Sequence, residues 1–148
     1  MISQNEIDLF ILAGQSNAQG CCGFESGYPT NTSLDNQIKL FWTNVWTQPS
    51  SSQNWTCMQT QYGGCNGSKI FGPEVTLSRN LLLEGYQVAI YKFAIPGTSL
   101  AQNWLQPGDG GLYDIMKSDL NLAINQLEEC NYQVNIKCLI WIQGEYDA

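Results

Sequence analysis

Three short apolar runs, at residues 7–13, 87–93 and 135–142, limit what this chain can fold into more than any other feature. Each is bounded by turn formers and is apolar almost without alternation, the pattern of a strand buried on both faces of a parallel sheet. Between the second and third runs, Leu112, Ile115, Met116, Leu120, Ala123 and Leu127 recur at three- and four-residue spacing. That spacing predicts a helix whose apolar face packs on the sheet. A shorter helix is predicted over Glu74–Leu83, opened by Pro73 in its first turn and closed by Gly85 past its end. Strand, helix, strand, helix, strand is the α/β alternation, a parallel sheet flanked by helices. The 148 residues suffice for one such domain and no more.

Residues 21–71 read differently. They are rich in Asn, Ser, Gly, Thr and Gln, carry Trp42, Trp46 and Trp55, and offer one strand, at residues 37–42. The expectation is a long surface excursion over the sheet edge, of the kind that often carries function. No internal repeat and no domain linker interrupts the chain.

Six basic against 13 acidic residues, a net charge of -7, argue against nucleic acid or an anionic membrane as partner. No apolar stretch reaches the roughly 20 residues that span a bilayer, and no signal peptide is legible at the start. A cytoplasmic location is the default expectation. The six cysteines fall as Cys21 with Cys22, Cys57 with Cys65, and Cys130 with Cys138. None makes a CxxC and the chain has no His, so no metal site is expected. Cys57 and Cys65 are candidates for a disulfide only in an oxidising compartment, against which the absent leader speaks. Sequons at Asn31, Asn54 and Asn66 decide nothing in a chain so rich in Asn and Ser.

The first apolar run leads straight into Gly14-Gln15-Ser16-Asn17. Ser16 therefore lies just past the carboxyl end of a strand, where open α/β sheets place their ligands. By position alone it is a nucleophile or simply the cap of the next helix. Three further blocks follow: Gly72-Pro73-Glu74 at a helix start; Lys92-Phe93-Ala94-Ile95-Pro96-Gly97-Thr98-Ser99-Leu100 with Trp104 after it; and Trp141-Ile142-Gln143-Gly144-Glu145-Tyr146-Asp147.

These four blocks, in this order, resemble the SGNH hydrolases, in the branch of sialate O-acetylesterase-like domains and carbohydrate esterase family six. The resemblance implies a three-layer sandwich with a flavodoxin-like parallel sheet. It also implies a carboxylic ester hydrolase that removes O-acetyl groups from carbohydrate through a covalent acetyl-Ser16 intermediate, without metal or cofactor. Ester cleavage needs a nucleophile, a base and donors aimed at the developing oxyanion. By resemblance the donors are the backbone N–H groups of Ser16 and Gly97 and the side-chain amide of Gln143. Asn17, Thr98, Trp104 and Glu145 are the implied substrate contacts. Glycine at 97 suits a backbone that must approach a ligand closely. Pro96 departs from the family, which has the first glycine of a pair there; proline fixes the backbone but leaves the Gly97 donor intact.

Glu145 and Asp147 are better read as organisers of hydrogen bonds around Gln143 than as the carboxylate pair of a glycosidase. Glu74 reads as a first-turn acid favoured by the helix dipole. Trp46 and Trp55, like Trp104, are either sugar platforms or covers for the core.

The family's general base is a His in an Asp-x-x-His block, and this chain has none. Losing one member of a triad typically costs several powers of ten in rate. Two expectations follow. The favoured one is that these residues are the incomplete N-terminal portion of a longer esterase, marginally stable and prone to aggregate alone. The other is a short, catalytically inactive relative that binds acylated glycans on the same scaffold.

Overall fold

The computed structural model describes residues 5–21, 23–44, 50–64 and 67–148. Cys22, Trp46, Cys65 and Asn66, named above, lie outside the described residues. Among the described residues, seven strands and four α-helices follow in chain order: β1 (Asn5–Gly14), α1 (Ser16–Gln19), α2 (Thr32–Asp35), β2 (Lys39–Thr43), β3 (Thr56–Cys57), β4 (Gln61–Tyr62), β5 (Lys69–Ile70), α3 (Glu74–Leu83), β6 (Val88–Ala94), α4 (Leu112–Glu129) and β7 (Tyr132–Ile142). The main sheet runs β3-β2-β6-β1-β7. β1 pairs in parallel with β6 and β7, β2 in parallel with β6, and only β3 joins antiparallel. The fold is therefore α/β, with a mostly parallel sheet between helices. In chain order the parallel strands stand second, third, first, fourth, with β1 held between β6 and β7.

Burial follows the two-residue period of β1. Ile7, Leu9, Ile11 and Ala13 point to a core shared with Tyr91, Phe93 and the α4 residues Leu112, Met116, Ala123 and Leu127. Phe10 points the other way, to Leu40, Ile90 and Val75 of α3, while Leu12 meets Ala18 of α1. β6 is buried along its whole length. Being covered on both faces is what its unbroken apolar run implied.

Three expectations need correcting. The 135–142 run is not buried on both faces: β7 is the sheet's edge, and Ile136 is 58% and Leu139 55% exposed. Apolar content cannot distinguish an edge from a centre, because that difference lies in what else the sheet recruits. Ile115 is half exposed although its α4 neighbours are buried. At 3.6 residues per turn it stands about 100° around the helix from Met116, on the flank of the stripe. The excursion at residues 21–71 is also more structured than one strand: it supplies β2, the edge strand β3, a hairpin of β4 with β5, and the short helix α2. These pieces are two to five residues long, too short to leave a periodic signal.

Candidate active site at the carboxyl ends of three strands

β1 ends at Gly14, whose φ of +144° is open to glycine but not to a residue bearing Cβ. A Cβ there would overlap the Ile142 carbonyl of β7. The glycine thus lets β1 and β7 close up where both strands end. The Ile95 N–H donates to the Gly14 carbonyl at 3.0 Å, and the Gln15 N–H donates to the Ile142 carbonyl at 3.0 Å. These two bonds knit the exits of β6, β1 and β7 together. Ser16 lies two residues beyond the first junction, Gly97 two beyond its partner, and Gln143 directly follows the second. The fold brings the three implied catalytic positions to one end of neighbouring strands.

Ser16 opens α1 and is partly exposed. Among the described residues, no acceptor engages the backbone N–H of Ser16 or of Gly97. Gly97 adopts φ +69°, in the left-handed region, and a Cβ there would meet nothing within 4 Å. Its glycine is required by backbone conformation rather than by packing of the protein against it.

The third block is the hub. The Glu145 carboxylate accepts from Gln15 Nε2 and from Asn17 Nδ2, the two residues flanking Ser16. Those amides, Gln15 first, together with a backbone N–H, hold Glu145 below its usual carboxylate range. Asp147 Oδ1 accepts the Leu100 N–H at 2.8 Å, reaching the turn that carries Gly97. The two acids therefore tie the Ser16 and Gly97 segments to one loop.

Gln143 is placed differently from its implied role. Its Nε2 donates to the Thr98 carbonyl at 2.6 Å and to Asp147 Oδ2 at 3.3 Å. An amide has two hydrogens, so both are engaged within the protein, and among the described residues Oε1 is buried with no partner. Thr98 is buried rather than facing a ligand, its hydroxyl donating to the Ile95 carbonyl at 2.8 Å. Trp104 is only 8% exposed; it packs edge-on against Phe93 and Trp141, and its Nε1 donates to Thr98 Oγ1 at 3.2 Å. It braces the Gly97 turn and offers no free face. Trp55 is likewise packed on Phe41, with Nε1 donating to the Ala123 carbonyl at 2.8 Å. Asn17 and Glu145 are exposed beside Ser16.

Sequence reasoning missed the far side of the site. Glu74 is fully buried and pairs with Lys92 at 2.8 Å. It also accepts from Gln61 Nε2 at 2.7 Å and from the Gly72 N–H at 2.8 Å. Burial pulls the Lys92 ammonium below its ordinary value, and Glu74 opposes that pull. The signal was a lysine inside an otherwise apolar strand, which cannot be left uncompensated. Cys57, Cys130 and Cys138 are exposed free thiols.

A structure of a protein from Arabidopsis thaliana is similar, with a TM-score of 0.57 at 16% identity, over 96% of this chain and 59% of that one. The present chain thus spans about three fifths of that protein's length. No curated protein matches the chain in sequence. The family model described as carbohydrate esterase, sialic acid-specific acetylesterase, matches residues 6–148. With nearly every residue matched, and the four blocks gathered at one end of the sheet, the chain belongs to the sialic acid-specific acetylesterase family of carbohydrate esterases.

Proposed function

We propose that Ser16 is the nucleophile of a carbohydrate O-acetylesterase site. Ser16 Oγ attacks the acetyl carbonyl carbon, the bond to the sugar oxygen breaks, and the serine proton passes through a base to the departing alkoxide. Water then hydrolyses the acetyl-Ser16 ester. The unengaged N–H groups of Ser16 and Gly97 are the oxyanion donors, each such donor being worth roughly 100- to 1000-fold in rate. Asn17 and Glu145, exposed beside Ser16, are the first contacts for the sugar. The observation that carries this reading is the convergence of the Ser16, Gly97 and Gln143 segments through the Gly14–Ile95 and Gln15–Ile142 bonds.

The 148 residues contain no His, so they do not supply the usual base. Losing that group costs up to about 10⁶ in kcat in a comparable triad. Imidazole in solution stands in for it. Hydrolysis of p-nitrophenyl acetate by this chain should be slow, and should rise with added imidazole beyond what Ser16→Ala shows under the same conditions. Equal rates for the two proteins at every imidazole concentration would overturn the proposal.

The second reading is a glycan-binding domain without turnover. The engagement of both Gln143 amide hydrogens within the protein favours it. Saturable binding of an O-acetylated sugar with no Ser16-dependent hydrolysis would establish it.

A further inference from the structure

We propose that Lys92 and Glu74 are positioning residues for Ser16, and that their buried pair seats the one-turn helix which Ser16 begins. The consequence for catalysis rests on the reading of Ser16 as nucleophile; the seating of the helix does not.

The argument starts from length. α1 has four residues, far below the twelve or so at which a helix begins to hold itself in water. Something outside it must fix its course. Its last residue, Gln19, is buried, so its carbonyl cannot turn to solvent for a partner. Lys92 Nζ donates to that carbonyl at 2.7 Å, from the middle of β6. The same ammonium pairs with Glu74 Oε2 at 2.8 Å, and both residues have no exposed side-chain surface. Glu74 Oε1 takes Gln61 Nε2 and the Gly72 N–H, so the carboxylate is fully satisfied.

The Gln19 side chain adds a second hold, with Nε2 donating to the Asn44 carbonyl at 2.8 Å and to the Gly63 carbonyl at 3.1 Å. At its other end the helix is fixed by the Gln15–Ile142 bond and by Glu145. Ser16 is left in between, partly exposed, on a segment with little freedom to shift. An apolar pair of similar volume often serves stability as well as a buried ion pair does. It could not donate to the Gln19 carbonyl. That difference assigns Lys92 to placement of the helix rather than to stability alone, and a misplacement of about 1 Å near the chemistry can cost on the order of 100-fold in rate.

The test compares two double variants. Lys92→Met/Glu74→Gln removes the donor without stranding a buried charge. Arg79→Met/Asp35→Asn removes another largely buried pair, whose nitrogen and oxygen lie 2.8 Å apart and which makes no hydrogen bond to α1. Amide hydrogen exchange is followed at Gln19, Gly20 and Cys21, whose N–H groups bond to the Gln15 and Ser16 carbonyls at 2.8, 2.9 and 3.2 Å. In the first variant these amides should lose protection by at least about tenfold relative to those of β1 and β6. In the second, any loss should be uniform. Retained protection in a folded Lys92→Met/Glu74→Gln protein would sink the proposal.

Should that variant not fold, the parent protein decides. With isotope-labelled lysine, a through-hydrogen-bond correlation from Lys92 Nζ to the Gln19 carbonyl carbon is expected, and its absence overturns the assignment. Where imidazole gives Ser16-dependent turnover, the first variant should lower kcat about 10- to 100-fold with KM held. The exchange measurement needs no turnover, so failure of the esterase reading and failure of the seating are told apart.

Discussion

Asp147 accepts the backbone N–H of Leu100 at 2.8 Å, joining the loop after β7 to the turn after β6. The same carboxylate takes one hydrogen of the Gln143 amide at 3.3 Å. Asp147→Ala should therefore free both groups. The Leu100 amide is expected to exchange faster than in the parent, while the sheet amides are unchanged. Because Asp147 is exposed, global stability should fall by about 1 kcal/mol or less. A Leu100 amide with unaltered exchange would mean that the tie contributes nothing to the turn.

Glu145 gives a pH dependence of known sign. Its acidity is raised by the Gln15 amide, then by a backbone N–H and the Asn17 amide. A carboxyl group depressed in the folded protein stabilises it above the unfolded value, and that contribution disappears as pH falls through the folded value. The side-chain amide resonances of Gln15 and Asn17 should shift together on acidification, with a midpoint below the ordinary carboxylate range. Glu145→Gln should leave both resonances flat over the same interval.

The glycines separate fold from site. At Gly14 a side chain meets both a forbidden φ and the Ile142 carbonyl, so Gly14→Ala should cost more than about 3 kcal/mol or prevent folding. At Gly97 only the left-handed φ is at issue, worth roughly 1–2 kcal/mol. Urea unfolding of both variants checks the order. Comparable losses at the two positions would contradict the account of Gly14 as the junction of β1 with β7.

How much of this was readable in advance depends on whether the decisive contact is local. Helix α3 runs over Glu74–Leu83 as its Pro73 and Gly85 signals indicated, because caps act within a turn. Strands β1 and β6 declared themselves because both faces of each are buried. Glu74 did not, since its partner Lys92 is brought to it only by the packing of α3 on β6, and its first-turn position offered a sufficient local reason for an acid. Trp104 was ambiguous for a related reason. Seven residues after Gly97, it reads as a sugar platform or as a cover for the core, and only the rings of Phe93 and Trp141 show it to be a brace. Gln143 was correctly placed at the strand exit, but which way its amide points is decided by Thr98 and Asp147.

The edge strand carries the last prediction. Among the described residues, β7 is paired on one side by β1 alone over ten positions, with Ile136 and Leu139 exposed. An unpaired edge of that length, bearing apolar side chains, is a template for pairing with other chains. The nearest charge, Lys137, is drawn back to Asp8 at 2.9 Å and guards the edge poorly. The chain should therefore self-associate as its concentration rises. Ile136→Lys/Leu139→Lys should suppress this while changing stability by no more than about 0.5 kcal/mol per site, since neither side chain is buried. Light scattering coupled to size exclusion, run over a range of loadings, reads both proteins. A parent that stays monomeric with a sharp thermal transition at every loading would show that the twist and bulge of β7, where its register slips opposite Leu9 and Phe10, already protect the edge.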